Sequence, residues 1–256
     1  MDKNFELSMP LLLDNLHKIE KISIFDTIDS TNLYCKRDEV INSPAPYLII
    51  SKTQTNGRGR KDRTFYSPKD SGIYFSLVVD GKENINDSIL ITSISALSLC
   101  KAIRDITKKD AKIKWINDIY IDDKKVSGIL CEFVKDKNNN DKIIIGVGIN
   151  LFSVFNDDLI NIAGNIGNVN KNELIISFIN YLFDYYDSLP SRSFISEIKE
   201  YSNTLNKEIC FIKDNKKYTG TAFTIDNNGY LHVKTNDEVI ILNSGNISIK
   251  NNKYIK

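Results

Sequence analysis

The pattern of apolar residues changes character near Asn203, and that change limits the chain to two units of different build. Before it, short apolar and β-branched runs alternate with helical stripes. Beyond Leu205 only short alternating segments remain, separated by turn residues at Asp214-Asn215, Asn227-Asn228-Gly229 and Ser244-Gly245. Roughly fifty residues of that kind suit a small β-barrel. The spacing predicts a larger unit over 1–203 and a small one over 204–256.

In the larger unit the sequence predicts a short helix over 11–19 and a strand over 22–27. A helix follows to about Val40, capped by Asp29-Ser30-Thr31-Asn32. Strands over 47–51 and 73–79 flank residues 52–70, a polar, basic, glycine-bearing stretch. Loops of that length in compact domains are functional or disordered. Residues 87–107 carry a helical stripe of Leu90, Ile94, Leu97, Cys100 and Ile103. Residues 111–115, 118–121 and 125–134 read as strands, the last two joined as a hairpin at Asp122-Asp123, and 141–151 as another. Helices over 173–188 and 191–201 complete the unit.

Composition excludes several classes of function. The 34 basic and 33 acidic side chains leave a net charge of +1, so no whole-protein field draws the chain to nucleic acid or an anionic membrane. No apolar run approaches the roughly 18 residues of a membrane span, and the N-terminus lacks the basic and apolar regions of a signal peptide. The four cysteines lie far apart without a C-x-x-C, and the two histidines, His17 and His232, form no ligand pattern. A reducing cytoplasm is the expected location.

Three stretches carry chemistry. Gln54-Thr55-Asn56-Gly57-Arg58-Gly59-Arg60-Lys61-Asp62-Arg63 directly follows a strand. Its glycines let backbone N–H groups approach an anion, and its guanidiniums give bidentate bonds to phosphate or carboxylate. An anionic small-molecule site, an RNA-contacting segment and a solvated basic loop all fit that composition. In Lys114-Trp115-Ile116-Asn117-Asp118 and Lys124-Lys125-Val126-Ser127-Gly128, Asp118 and Lys125 face one another across a hairpin. They read either as a Mg²⁺-binding carboxylate beside an anion-binding lysine or as a plain cross-strand ion pair, and Trp115 by default belongs to the core. In Gly146-Val147-Gly148-Ile149-Asn150 two glycines at alternate strand positions mean that a ligand or a packed helix approaches closely.

Together and in this order, these segments resemble biotin protein ligase. The matching pieces are Asp29-Ser30-Thr31-Asn32, Gln54 with Gly57-Arg58-Gly59-Arg60, Ser67-Pro68 with Gly72-Ile73-Tyr74-Phe75-Ser76, Lys114-Trp115-x-Asn117-Asp118, Lys125-x-x-Gly128-Ile129-Leu130 and Gly146-x-Gly148-Ile149-Asn150. The resemblance implies an α+β fold: a central mixed sheet flanked by helices, class II synthetase-like, with a small C-terminal SH3-like barrel. It also implies ATP-dependent attachment of biotin to a lysine of a biotin carboxyl carrier domain, through biotinyl-5′-AMP and with Mg²⁺. By similarity, Ser30, Thr31 and Gln54 hold the ureido ring, Asn32 belongs to the same biotin site, and Gly57, Arg58, Gly59 and Arg60 fold over biotin and the adenylate. Lys125 bridges the biotin carboxylate and the α-phosphate, Asp118 carries the metal, Asn117 and Asn150 contact the nucleotide, and Trp115 and Gly128 line the pocket.

The sequence departs from the family pattern at Asp62, where a glycine is usual, at Ile116, usually proline, and at Phe65, commonly tryptophan. Only some twenty residues precede the first catalytic strand, so the DNA-binding winged helix of the repressor members is not expected. Homodimer formation is possible on this reading. The alternatives are a lipoate ligase or acyltransferase of the same superfamily and a catalytically silent binding module.

Overall fold

The computed structural model describes residues 6–61, 63–81, 88–244 and 247–249. Seven strands form the larger sheet in the order β1 (Lys21–Phe25), β2 (Tyr47–Ser51), β3 (Gly72–Asp80), β7 (Asp141–Asn150), β6 (Lys124–Lys135), β5 (Asp118–Ile121) and β4 (Lys112–Lys114). Only β1 and β2 run parallel; every other neighbouring pair is antiparallel, so the sheet is mixed.

Strands β2 and β7 are apolar on both faces because both faces are covered. On one side Leu48, Ile50, Leu77, Val79, Ile143 and Ile145 pack with the two long helices, α4 (Ser88–Thr107) and α5 (Lys171–Asp187). On the other, Ile49, Val78 and Ile144 pack with Cys35, Val40 and Ile41 of the short helices α2 (Thr31–Cys35) and α3 (Asp38–Ile41). The sequence predicts one helix there. Arg37 is extended, at φ −68° and ψ 144°, and this break turns both short pieces onto the sheet. The capping expectation also needs correction: the Ser30 hydroxyl caps nothing. The free N–H of Thr31 is met by Gln54 Oε1 at 2.8 Å, which leaves Ser30 available elsewhere.

Helix α1 (Met9–Asn15) starts earlier than the predicted 11–19, with Pro10 in its first turn. Helix α6 (Phe194–Glu200) lies within the predicted 191–201. Five antiparallel strands, β8 (Glu208–Lys213), β9 (Lys216–Ile225), β10 (Leu231–Lys234), β11 (Val239–Leu242) and β12 (Ile247–Ile249), form the second sheet in the order β11-β10-β9-β8-β12. The predicted turn residue Gly245 lies outside the described residues. Among the described residues, no helix is long and apolar enough to cross a membrane.

The two sheets share one apolar core, and hydrogen bonds tie them around β4. Ile113 exchanges backbone hydrogen bonds with Tyr201 and Asn203 at 2.8 and 2.7 Å. The Trp115 N–H donates to Thr204 Oγ1 at 2.9 Å and its indole to the Gly229 carbonyl at 3.0 Å. The second module thus grips the segment that leads into Asn117 and Asp118.

Candidate active site

Two connected cavities open on one face of the larger sheet. The first spans about 740 Å³, the open solvent at its mouth included. Ser30, Thr31, Asn32, Gln54, Arg58, Gly59, Arg60, Asn117, Asp118, Lys125 and Gly128 all line it. The second is larger; it shares Arg60, Asn117, Asp118 and Lys125 with the first and adds Lys114, Asn150 and the β12 segment.

The closed end of the first cavity is a row of buried polar side chains. Thr31 Oγ1 donates to Gln54 Oε1 at 3.2 Å, and Gln54 Nε2 donates to Ser67 Oγ at 2.9 Å. Ser76 Oγ lies 2.7 Å from Thr31 Oγ1 and 2.6 Å from Asn32 Oδ1. Burying such groups is costly unless each finds a partner, and here each does. The row reaches from α2 across β3 to the glycine-bearing loop.

The open end is strongly cationic. Arg58, Arg60, Arg63, Lys114 and Lys125 line the two cavities against a single carboxylate, Asp118, among the described residues. In a chain of net charge +1, this concentration is a local design that focuses positive potential on a concave site. Arg60 Nη1 donates to Asn117 Oδ1 at 2.8 Å, and Asn117 Nδ2 donates to the Ile129 carbonyl at 2.9 Å. Burial lowers the Arg60 pKa, against the pull of Asp118. Burial likewise lowers that of Lys114, whose ammonium lies 3.4 Å from the Tyr120 hydroxyl. Cations held in surroundings that penalise their charge gain most when an anion arrives.

Asp118 and Lys125 meet as the hairpin spacing predicts, with Nζ 2.7 Å from Oδ1. A register shift between Ile119 and Tyr120 sets Asp118 opposite Gly128 and Lys125 opposite Tyr120. A Cβ on Gly128 would stand 3.0 Å from Lys125 Nζ. Gly128 therefore keeps the path of the lysine clear. The pair is the plain cross-strand ion pair of the second reading, and it lies on the cavity wall, where the first reading needs it.

The glycine pair on β7 has a definite explanation. A Cβ at Gly146 would lie 1.9 Å from Asn32 Oδ1, and one at Gly148 would lie 2.5 Å from the Phe65 ring. A helix side chain and a loop ring use the space, and both belong to the cavity wall. Gly148→Ala should therefore unseat Phe65 and the loop behind it. The expected result is a loss of about 1–3 kcal/mol in stability by thermal melting together with weaker ligand binding.

Three candidate residues stand outside the wall of the first cavity. Gly57 does not line either cavity; it is a packing position, where a Cβ would stand 2.5 Å from the Phe65 carbonyl oxygen. Trp115 is 5% exposed and spends its indole N–H on Gly229, so the core reading describes it, although its edge reaches the second cavity. Asn150 also lines only the second cavity, with Nδ2 committed to the Gly164 carbonyl at 3.1 Å. Among the departures, Ile116 is core, Phe65 caps Gly148, and Asp62 lies outside the described residues. Sequence reasoning gave no separate role to Arg63, Lys114 or Ser76. All three stand in the motifs already quoted, but the part Ser76 plays shows only in its contacts with Thr31 and Asn32.

The sequence pattern of the biotin/lipoate A/B protein ligase family matches residues 24–150, which hold the site, and that of the biotin protein ligase C-terminal domain matches 204–250. The chain belongs to the biotin/lipoate A/B protein ligase family. Similar relatives include the bifunctional ligase/repressor BirA of Escherichia coli, 25% identical over 97% of this chain and 82% of that protein. BirA of Bacillus subtilis is 27% identical over 88% of this chain and 72% of its own length. The fold matches a biotin protein ligase from Aquifex aeolicus in complex with biotin and ATP, with a TM-score of 0.80, 24% identity, and coverage of 91% of this chain and 99% of that one. The Leishmania major ligase in complex with biotinyl-5-AMP matches with a TM-score of 0.61 and 21% identity, covering 88% and 99%. This family member thus carries both units of the catalytic architecture, the α+β domain with its mixed sheet and the small β module.

Proposed function

We propose that the chain is an ATP-dependent biotin–protein ligase. The observation that carries this reading is the pairing of a neutral, hydrogen-bonding cavity end with a cationic one in a single pocket. Biotin has that polarity: a ureido ring at one end and a carboxylate at the other. Lipoate lacks the N–H groups that the polar end would read, so the polar row around Asn32 and Gln54 favours biotin.

The reaction runs in two steps. A biotin carboxylate oxygen attacks the α-phosphorus of ATP, the bond to the bridging oxygen breaks, and pyrophosphate leaves. The neutral amine of a carrier-domain lysine then attacks the carbonyl carbon of the mixed anhydride. AMP leaves, and the new amide nitrogen gives its proton to water.

Bringing a carboxylate to about 4 Å from a phosphate charge costs on the order of 4 kcal/mol at an effective dielectric near 20. Lys125, Arg58 and Arg60 supply the offset, with Arg63 and Lys114 beside them. Lys125 stands where both reacting anions would meet, and Asn117 holds Arg60 toward the same space. No covalent enzyme nucleophile is required, because positioning and charge stabilisation supply the catalysis. Asp118 suits Mg²⁺, which takes one or two carboxylates and completes its shell with water and substrate phosphates. When bound, the ion supplies charge neutralisation at the phosphates. Ser30, Thr31, Asn32 and Gln54 bind the ureido ring, Gly128 leaves room for the lysine, and Asn150 stands on the nucleotide side.

A mixed anhydride is lost if water reaches it, so residues 52–70 must cover the intermediate and reopen for the acceptor. Arg58, Lys61 and Arg63 are exposed on that loop and offer trypsin its sites. Tryptic cleavage there is expected to slow several-fold once biotin and ATP are both present. Equal cleavage rates with and without them would overturn the covering role. The ligase reading itself is tested by biotin-dependent exchange of labelled pyrophosphate into ATP.

A further inference from the structure

We propose that Glu132, which lies outside the cavity wall, is a positioning residue that fixes the amide of Asn32 with its oxygen available to a ligand N–H. This rests on the biotin reading of the cavity and specifies what its closed end selects.

Asn32 is 4% exposed. Its Nδ2 lies 2.9 Å from Glu132 Oε2 and 3.3 Å from the Leu130 carbonyl. Lys36 Nζ holds the other carboxylate oxygen at 2.8 Å. A carboxylate and a carbonyl only accept, so both amide hydrogens are committed to that side. The Asn32 oxygen must then lie on the other, where Ser76 Oγ meets it at 2.6 Å. The orientation follows from the donor and acceptor chemistry of the neighbours, because an amide's two ends look alike by shape alone.

The consequence is a surplus of acceptors. Ser76 has one hydrogen for two oxygens in reach, Asn32 Oδ1 and Thr31 Oγ1. The Thr31 hydroxyl hydrogen is directed to Gln54 Oε1. Lone pairs on Asn32 and Thr31 remain unfilled in a wall that also includes Gly146, whose missing side chain is what lets Asn32 Oδ1 sit there. A cyclic urea, with two N–H donors, complements such a wall. Glu132 thus acts on selectivity from outside the pocket. Glutamine at that position offers an NH₂ group of its own and frees the Asn32 amide to turn over, which presents a donor where the ligand needs an acceptor.

The test is biotin-dependent pyrophosphate exchange by the full chain, with biotin and with the two cyclic carbamates in which oxygen replaces one or the other ureido N–H. Glu132→Gln is expected to raise the KM for biotin on the order of 10-fold, the worth of one buried hydrogen bond. The kcat and the KM for ATP should stay within about 2-fold, and the preference for biotin over at least one carbamate should shrink. The double variant Asn32→Asp/Glu132→Gln reverses the polarity of the pair and again leaves an oxygen toward Ser76, but it sets the other oxygen against the Leu130 carbonyl, so it should recover part of the loss. A Glu132→Gln enzyme with the wild-type KM and preference overturns the proposal. So does a loss spread equally over kcat and both KM values that the double variant fails to restore, since that marks a role in folding alone. A wild-type chain without biotin-dependent exchange would instead overturn the biotin reading.

Discussion

Lys125→Ala is expected to slow formation of biotinyl-AMP by about 10²–10³-fold, the usual effect of removing one group aimed at developing charge. The ammonium sits 2.7 Å from Asp118 in a wall shared by both cavities. Arg60 lies on the same two walls, but Asn117 holds its guanidinium, so its charge acts beside the position of the lysine and not at it. Removing the ammonium also takes away the salt-bridge partner of the Asp118 carboxylate beside incoming phosphates, which adds repulsion to the loss of attraction. Pyrophosphate exchange measures this step alone, without a carrier domain. A rate within about 3-fold of wild type would show that Lys125 is a structural ion-pair partner and nothing more.

Arg60→Gly should act on a different step. Its bond to Asn117 closes the loop across the boundary between the two cavities. Losing a hydrogen bond to a charged group is worth about 1.5–3 kcal/mol, so biotinyl-AMP should escape about 10- to 100-fold faster. Formation of the intermediate should fall less than its retention does, because Lys125 remains in place. Released biotinyl-AMP, trapped from solution during turnover without carrier, reads this directly. Unchanged release would remove Arg60 from the closing role, and a catalytically silent binding module would show no intermediate at all.

These two residues illustrate how far the sequence could be read. Tyr47–Ser51 and Asp118–Ile121 appear with the bounds that their apolar and β-branched runs predict. The Asp118–Lys125 contact follows from a two-residue turn, whose short span leaves few ways to pair the flanking strands. The glycine pair Gly146 and Gly148 announced a close approach but not its cause, since Asn32 and Phe65 come from elements 114 and 83 residues earlier in the chain. Ser30 was misleading for an instructive reason. Helix caps and ligand sites favour the same small hydroxyl residues, and Gln54 took the capping duty that the sequence assigned to Ser30.

Long-range hydrogen bonds were the least legible layer. The bond between Asn32 and Glu132 joins α2 to β6 across the sheet, and no local pattern marks it. The grip of Gly229 on Trp115 spans 114 residues, and it ties a residue whose edge reaches the second cavity to the junction between the two units. Periodicity reports which face of an element is buried; it does not report which buried polar atoms meet there.

The central claim is that this chain forms biotinyl-AMP and passes it to a carrier lysine, and the intact mass of an apo biotin-carrier domain tests it most directly. The domain is incubated with the protein, Mg·ATP and biotin, with lipoate and an apo lipoyl domain in a parallel tube. A mass gain of one biotin, minus water, in the first tube alone is the predicted result. A gain with lipoate alone would move the chain to the sister activity. No gain in either tube, with biotin bound but no pyrophosphate exchange, would contradict the ligase reading outright.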